Sequence, residues 1–206
     1  MITTEQAATF ERCMAVGGVA IFGADTVYGL ACDAASVEAV ERLYAIKGRR
    51  PDKPAAVMFF NLELALAALP ELGPRTTAAL EGLLPGAVTL LLPNPSHRFP
   101  LACGPDPDTV GLRVPALAPS AAALAAVRWP VLQSSANPAG GADARRLEDI
   151  PAPIRAAADL LLDAGELAGT ASTVIDLRRF EDDGAWVVIR EGAVAESCVA
   201  ATLSSL

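Results

Sequence analysis

The chain has 206 residues, 52% hydrophobic and 19% charged, with 24 acidic against 16 basic side chains and a net charge of -8. That length suits one domain burying about 70% of its unfolded surface, so the fold needs neither disulfides nor a structural metal. The acidic balance excludes a broad nucleic-acid or anionic-membrane surface, and 16 Gly with 16 Pro are too few for a low-complexity chain.

The N-terminal segment predicts a helix capped by Thr3 or Thr4, with Ala7, Phe10, Cys13 and Met14 at helical spacing, ended by Gly17-Gly18. Its charges Glu5, Glu11 and Arg12 stand where an export signal needs an apolar core. Val19 to Phe22 reads as a buried strand, and GADTVYGLACDA as a loop of small and hydroxyl residues. Ser36 then caps a helix with Val37, Val40, Leu43 and Tyr44 on one face, followed by the basic loop KGRRPDKP. AAVMFF is of strand length, Asn61 caps a helix through Leu69, and Pro74 to Leu84 forms another. Pro-Gly turns the chain into a strand at 87–92, and TVGLRVP forms a strand over 109–115. Residues 119–128 read as helix and 130–133 as a short strand, and SSANPAGGAD is a loop suited to close backbone approach. A helix near 151–158, a strand at 159–163, the strands STVIDL and AWVVIR, and a final helix from Val194 complete the pattern. Strands alternating with helices predict a single α/β domain over residues 1–206 with a mixed, twisted sheet.

Every apolar stretch is interrupted by Pro, Gly or charge before about 18 residues, so no membrane span is predicted. Cys13, Cys32, Cys103 and Cys198 form no C-x-x-C pair and read as buried thiols of a reducing compartment, which predicts a cytoplasmic protein without a metal site. The single histidine, His97, has no acidic neighbour in sequence and reads as a surface residue rather than a triad member.

Chemistry concentrates in loops at strand ends, where an α/β sheet binds its ligands. Five of the sixteen basic residues, Arg42, Lys47, Arg49, Arg50 and Lys53, fall within twelve positions. Lys47 and Lys53 offer ammonium charges and Arg49 a planar fork, a set that suits phosphate oxygens. Arg113 lies inside an apolar strand, where a guanidinium must meet an anion: the carboxylate of a small ligand or a structural Asp or Glu. Ser134, Ser135 and Asn137, beside Gly140 and Gly141, offer donors for phosphate or ribose. Neither GxxxxGK[ST] nor GxGxxG occurs, which disfavours P-loop and dinucleotide-binding folds.

GADTVYGLACDA, KGRRPDKPAAVMF, LLPGAVTLLL, TVGLRVP, SSANPAGG, STVID and VIREGAV, in that order from about residue 18 to 194, closely resemble the YrdC-like family of threonylcarbamoyl-AMP synthases. The resemblance implies a twisted open sheet with flanking helices and one large, positively lined concave cleft. It implies synthesis of L-threonylcarbamoyladenylate from L-threonine, bicarbonate and ATP with Mg²⁺, releasing pyrophosphate, for modification of tRNA position 37 together with tRNA-modification proteins. It places a Lys-x-Arg and Ser-x-Asn tetrad at Lys47, Arg49, Ser135 and Asn137, with Lys47 and Arg49 as catalytic. Thr26, Arg113 and Ser172 correspond to threonine-binding positions, and Arg49, Lys53, Thr109, Ser135, Asn137 and Arg190 to ATP-binding ones.

Some positions depart from the family pattern. Met58 stands where histidine or an apolar residue contacts threonine, Gln133 replaces a small residue, Asp143 replaces a nucleotide-contacting serine, and Gly23-Ala24 replaces Pro-Thr. Two other readings stay open: a non-catalytic RNA-binding module using the same cleft, and an enzyme with another carbamoyl donor. The aromatic content of 5% disfavours the first, because single-strand readers stack bases on aromatic rings.

Overall fold

The computed structural model describes residues 1–206. Nine strands form one sheet: β1 (Ala20–Gly23), β2 (Tyr28–Asp33), β3 (Ala56–Met58), β4 (Val88–Pro93), β5 (Thr109–Arg113), β6 (Val131–Ser135), β7 (Leu160–Leu162), β8 (Thr173–Arg179) and β9 (Ala185–Arg190). Their spatial order is β7-β1-β2-β6-β3-β5-β4-β8-β9. Three neighbouring pairs run parallel (β1 with β7, β3 with β5, β4 with β8) and the others antiparallel, so the sheet is mixed, as the alternation of elements predicts.

Helix α1 (Thr4–Ala15) begins at a capping box in which Thr3 and Gln6 bond reciprocally, and it buries Ala7, Phe10 and Met14. The Phe10 ring meets Phe22 of β1 at 5.2 Å and Phe60 at 5.6 Å, which fixes the helix on the sheet. Helix α2 (Val37–Lys47) starts at Ser36, whose hydroxyl accepts from the Ala39 amide, and ends at Gly48 in the left-handed region. Helices α3 (Leu62–Ala68), capped by Asn61, and α4 (Pro74–Leu83), opened by proline, add Ala65, Ala79 and Leu80 to the buried core. Shorter helices follow: α5 (Pro100–Cys103), α6 (Ala152–Ala157), α7 (Phe180–Asp183) and the C-terminal α8 (Glu196–Leu203). One cluster of 52 buried apolar residues runs from Ile2 to Leu203. No helix is long and apolar enough to cross a membrane.

The structure corrects the sequence reading in several places. Half of GADTVYGLACDA is strand β2, paired on one side with β1 and on the other with β6. Ser134 and Ser135 belong to β6, opposite Leu30 and Gly29, so the loop begins only at Ala136. Pro119–Ala126 is a 3-10 helix: no side chain caps its start, and its buried residues Ala121 and Leu124 stand three apart, the repeat of that helix. Cys32 and Cys103 are buried, but Cys13 is half-buried and Cys198 exposed. His97 does find an acidic partner, Asp108 at 2.9 Å, on an exposed face.

Candidate active site

The concave face of the sheet is built over small side chains. Register places Ala31, Gln133, Ala56, Gly111 and Leu91 in one row across β2, β6, β3, β5 and β4. Directly opposed residues share a face, so this row is a floor on which a ligand can rest. Above it opens a cleft of about 190 Å³, lined among others by Arg49, Arg113, Gln133, Ser135, Ser172 and Arg190. Pro54, Ala55, Ala56, Thr89 and Val174 also line an adjoining hollow that reaches Thr109 and Arg178, so the two form one continuous groove. Three guanidinium groups face one carboxylate, Asp143, in the cleft lining, a local excess of positive charge in a chain of net charge -8.

Arg113 enters the cleft from the end of β5, with its side chain 5% exposed. Its Nη2 donates to Asp25 Oδ1 at 2.9 Å and Oδ2 at 3.2 Å and reaches Thr26 Oγ1 at 3.4 Å. The structural partner left open by the sequence is therefore Asp25, which also accepts from the amide and hydroxyl of Thr26. Burial lowers the Arg113 pKa and Asp25 opposes that shift, while Arg113 Nε stays buried without a partner. One amino group of the guanidinium is thus anchored on Asp25 and Thr26 at the cleft wall.

Arg49 follows Gly48, whose φ of 59° turns the chain out of α2. Its Nη1 donates to Ser134 Oγ at 3.3 Å, its other amino group to the Pro54 carbonyl, and its plane lies 5.8 Å from the Tyr44 ring. Arg49 Nε, like Arg113 Nε, is buried and unpartnered. Across the groove, Arg190 Nη2 donates to the Ser172 carbonyl at 2.6 Å, and Ser172 Oγ pairs with Thr89 Oγ1 at 2.8 Å.

Lys47 departs from its sequence-based role as a mobile charge for phosphate. It is 3% exposed, and its ammonium donates to the Ser135 carbonyl, the Asn137 carbonyl at 2.8 Å and Asn137 Oδ1 at 3.0 Å. An ammonium has three N–H donors and all are engaged, so Lys47 ties α2 to the loop after β6. Burial, and then the charge of Arg49, push its pKa down to about 8 against the pull of Asp143. Asn137 completes the tie: Oδ1 accepts from Ser135 Oγ at 2.7 Å, and Nδ2 donates to the Gly141 carbonyl at 2.6 Å and Asp143 Oδ1 at 3.1 Å.

Of the residues expected at the site, Arg49, Arg113, Ser135, Ser172 and Arg190 line the cleft together, and Thr109 lines the adjoining hollow. Thr26 sits behind Arg113, and Lys47 and Asn137 sit beneath the loop. Lys53 is exposed on its loop and lines neither hollow. The basic cluster disperses: Arg42 pairs with Asp159 at 2.6 Å and Arg50 with its neighbour Asp52 at 2.5 Å, leaving Arg49 for the cleft. The sequence reading missed Asp25 as the Arg113 partner and Thr89 as the Ser172 partner. Thr89 carried a usable signal, a lone hydroxyl in the apolar strand VTLLLP; Asp25 carried none, since 88 residues separate the pair.

No group of three or more His, Cys, Asp and Glu side chains gathers as a metal site. Asp143 is the one carboxylate of the cleft lining, where a nucleotide's own cation could meet it.

An open mixed sheet with an arginine-lined cleft defines an α/β protein whose site carries a local excess of positive charge. The family model described as "Telomere recombination", that of the Sua5, YciO and YrdC proteins, matches residues 12–192, and the chain belongs to this family. Among relatives, the threonylcarbamoyl-AMP synthase of Pyrococcus abyssi is 28% identical over 179 residues, covering 86% of this chain and 51% of that protein. The enzyme of the same name from Pseudomonas aeruginosa is 33% identical over 145 residues, 70% of this chain and 77% of that protein. The crystal structure of P. abyssi Sua5 complexed with L-threonine superposes with a TM-score of 0.84 at 25% identity, covering 98% of this chain and 58% of that one. Escherichia coli YciO gives a TM-score of 0.79 at 24% identity over 96% of this chain and 94% of its own, which speaks for the fold alone. The chain thus spans about half the length of the P. abyssi relative.

Proposed function

We propose that this protein is a cytoplasmic L-threonylcarbamoyladenylate synthase, joining L-threonine, bicarbonate and the AMP moiety of ATP and releasing pyrophosphate. The observation that carries this reading is the gathering of three guanidinium groups, Arg49, Arg113 and Arg190, in one cleft whose lining holds a single carboxylate, Asp143. Two anionic groups on adjacent substrates match them, a carboxylate at Arg113 and phosphates at Arg49 and Arg190. The names of the relatives and the threonine complex of P. abyssi Sua5 support the same assignment.

In this mechanism the threonine amine bonds to the carbon of CO₂ drawn from bicarbonate to give a carbamate, its proton leaving with the hydroxide of bicarbonate as water. A carbamate oxygen attacks the α-phosphorus, the bond from that phosphorus to the bridging oxygen of the β-phosphate breaks, and pyrophosphate leaves with the electron pair. No protein nucleophile is needed. Arg113 holds the carboxylate, with Asp25 and Thr26 fixing the guanidinium. Arg49 and Arg190 neutralise charge on the phosphates, and Lys47 with Asn137 keeps Ser135 and the following loop in place. Mg²⁺ enters with ATP as part of the substrate, supplying charge neutralisation of the leaving group. The product would supply threonylcarbamoyl modification of tRNA position 37, with tRNA and modification proteins as downstream partners.

The test is pyrophosphate release from ATP and Mg²⁺ with and without threonine and bicarbonate. Release that requires both co-substrates is the expected result. ATP left intact under every condition would retire the synthase reading, and salt-dependent tRNA binding would then favour a non-catalytic module.

A further inference from the structure

Thr89 is the one hydroxyl of an otherwise apolar strand. In β4, VTLLLP, the residues Val88, Leu90 and Leu92 belong to the core, whereas Thr89, 9% exposed, lines both the cleft and the adjoining hollow. Threonine and valine suit a strand about equally, so the strand itself does not call for the hydroxyl. Its oxygen lies 2.8 Å from Ser172 Oγ. From the far side, Arg190 Nη2 reaches the Ser172 carbonyl at 2.6 Å and Ser172 Oγ at 3.4 Å. Groups from β4 and β9 thus converge on a single side chain, the one that leads into β8.

The hydrogen-bonding capacity of Ser172 Oγ is small and nearly used up. A hydroxyl has one proton and two acceptor positions. A guanidinium only donates, so Arg190 takes one acceptor position, and with Thr89 donating as well both are filled. The serine proton is then left to serve an acceptor in the cleft. The register locates that acceptor. Thr89 pairs with Val174, two residues after Ser172, and Leu90, which follows Thr89, pairs with Leu112, which precedes Arg113. Thr89 therefore stands between Arg113 on one neighbouring strand and Ser172 on the other, and all three line the cleft. An amino acid whose carboxylate rests on Arg113 brings its oxygen acceptors to this part of the floor.

We infer that Thr89 is a positioning residue of the amino-acid subsite: its hydroxyl donates to Ser172 Oγ and holds the serine so that the Ser172 proton points to the amino-acid substrate. This rests on the synthase reading above. Without the Thr89 hydroxyl the serine proton turns to whatever acceptor is nearest, and the substrate must restore its orientation on binding, at a cost in affinity.

The experiment is a double-mutant cycle on Thr89→Val and Ser172→Ala, with Thr89→Ser as the conservative variant. It reads threonine affinity by titration calorimetry and the KM values for threonine and ATP by pyrophosphate release. Thr89→Val keeps the shape of the side chain and is expected to weaken threonine about fivefold, the size of one neutral hydrogen bond. The KM for ATP is unchanged, since Arg190 keeps its bond to the Ser172 carbonyl. Thr89→Ser restores threonine affinity, and Thr89→Val adds no further loss once Ser172 is alanine. Threonine affinity unchanged in Thr89→Val overturns the inference and leaves the synthase reading standing. So does the same loss in the Ser172→Ala background, or a Thr89→Ser variant as weak as Thr89→Val, either of which would make the threonine a packing residue only. A wild type that neither binds nor turns over threonine overturns both.

Discussion

At Lys47, the number of donors rather than the charge decides what the side chain does. All three of its N–H groups go to Ser135 and Asn137, and burial brings its pKa to about 8. The folded chain holds this proton less tightly than an unfolded one, so the unfolded state binds more protons between about 8 and the ordinary 10.5. Stability contributed by this group therefore rises with pH through that window, while below it the cost of burying the charge is fully present. Activity should move the other way, because the neutral amine has two donors for three acceptors and the loop loosens. Melting temperature and kcat/KM for ATP measured from pH 7 to 10 should diverge in the wild type, and Lys47→Met should flatten the stability difference. Parallel curves for the two proteins would refute this role. Arg113 tests the opposite case, where fork geometry matters. Arg113→Lys keeps the charge but loses the planar fork, so the KM for threonine should rise at least about tenfold with a smaller change for ATP. An unchanged threonine KM would remove Arg113 from that subsite. Arg113 was legible in the sequence because an arginine inside TVGLRVP demands an explanation. The role of Lys47 was not, because the carbonyls that consume its donors lie 88 and 90 residues further on.

Elements were legible where local chemistry fixes them. The caps Thr3, Ser36 and Asn61 and the helices they start stand where the sequence placed them. Strand β2 was not legible, since YGLACD is poor in β-branched residues and becomes a strand only between β1 and β6. The same pairing draws Ser134 and Ser135 out of the expected loop, which sets them rigidly at the cleft wall instead of on a mobile segment. The join between α2 and the basic loop is a local device with a clean test. Gly48 has a φ of 59° and open space where a Cβ would go, so Gly48→Ala introduces backbone strain and no clash. The expected cost is about 1 kcal/mol, read as a lower urea midpoint, with Gly48→Asn closer to the wild type. Because Gly48 aims Arg49, the alanine variant should also raise the KM for ATP. A loss of stability without that kinetic effect would show that Arg49 is positioned by Ser134 and Pro54 alone.

For the whole molecule, the placement of the core bears on how the chain unfolds. The apolar cluster includes Phe10 and Met14 of α1, strands from β1 to β8, and Val199 and Leu203 of α8. Both ends of the chain pack into this cluster: α1 on β1, and α8 on α4. We propose that residues 1–206 form one cooperative domain. The cleft lies on that sheet, with Arg49 supplied after α2, Arg113 by β5, Ser135 by β6 and Arg190 by β9, so no part of the site can come apart while the rest persists. Scanning calorimetry should then show a single transition, with calorimetric and van't Hoff enthalpies equal and near 140 kcal/mol at about 0.7 kcal/mol per residue. ATP should raise its midpoint without splitting it, since a ligand held by three strands and a loop stabilises the unit that carries them all. Two resolved transitions, or a protease-resistant fragment lacking β8 and β9, would divide the chain. Arg190 and Ser172 would then belong to a subunit of the fold that closes on the ligand, rather than to a cleft formed before the ligand arrives.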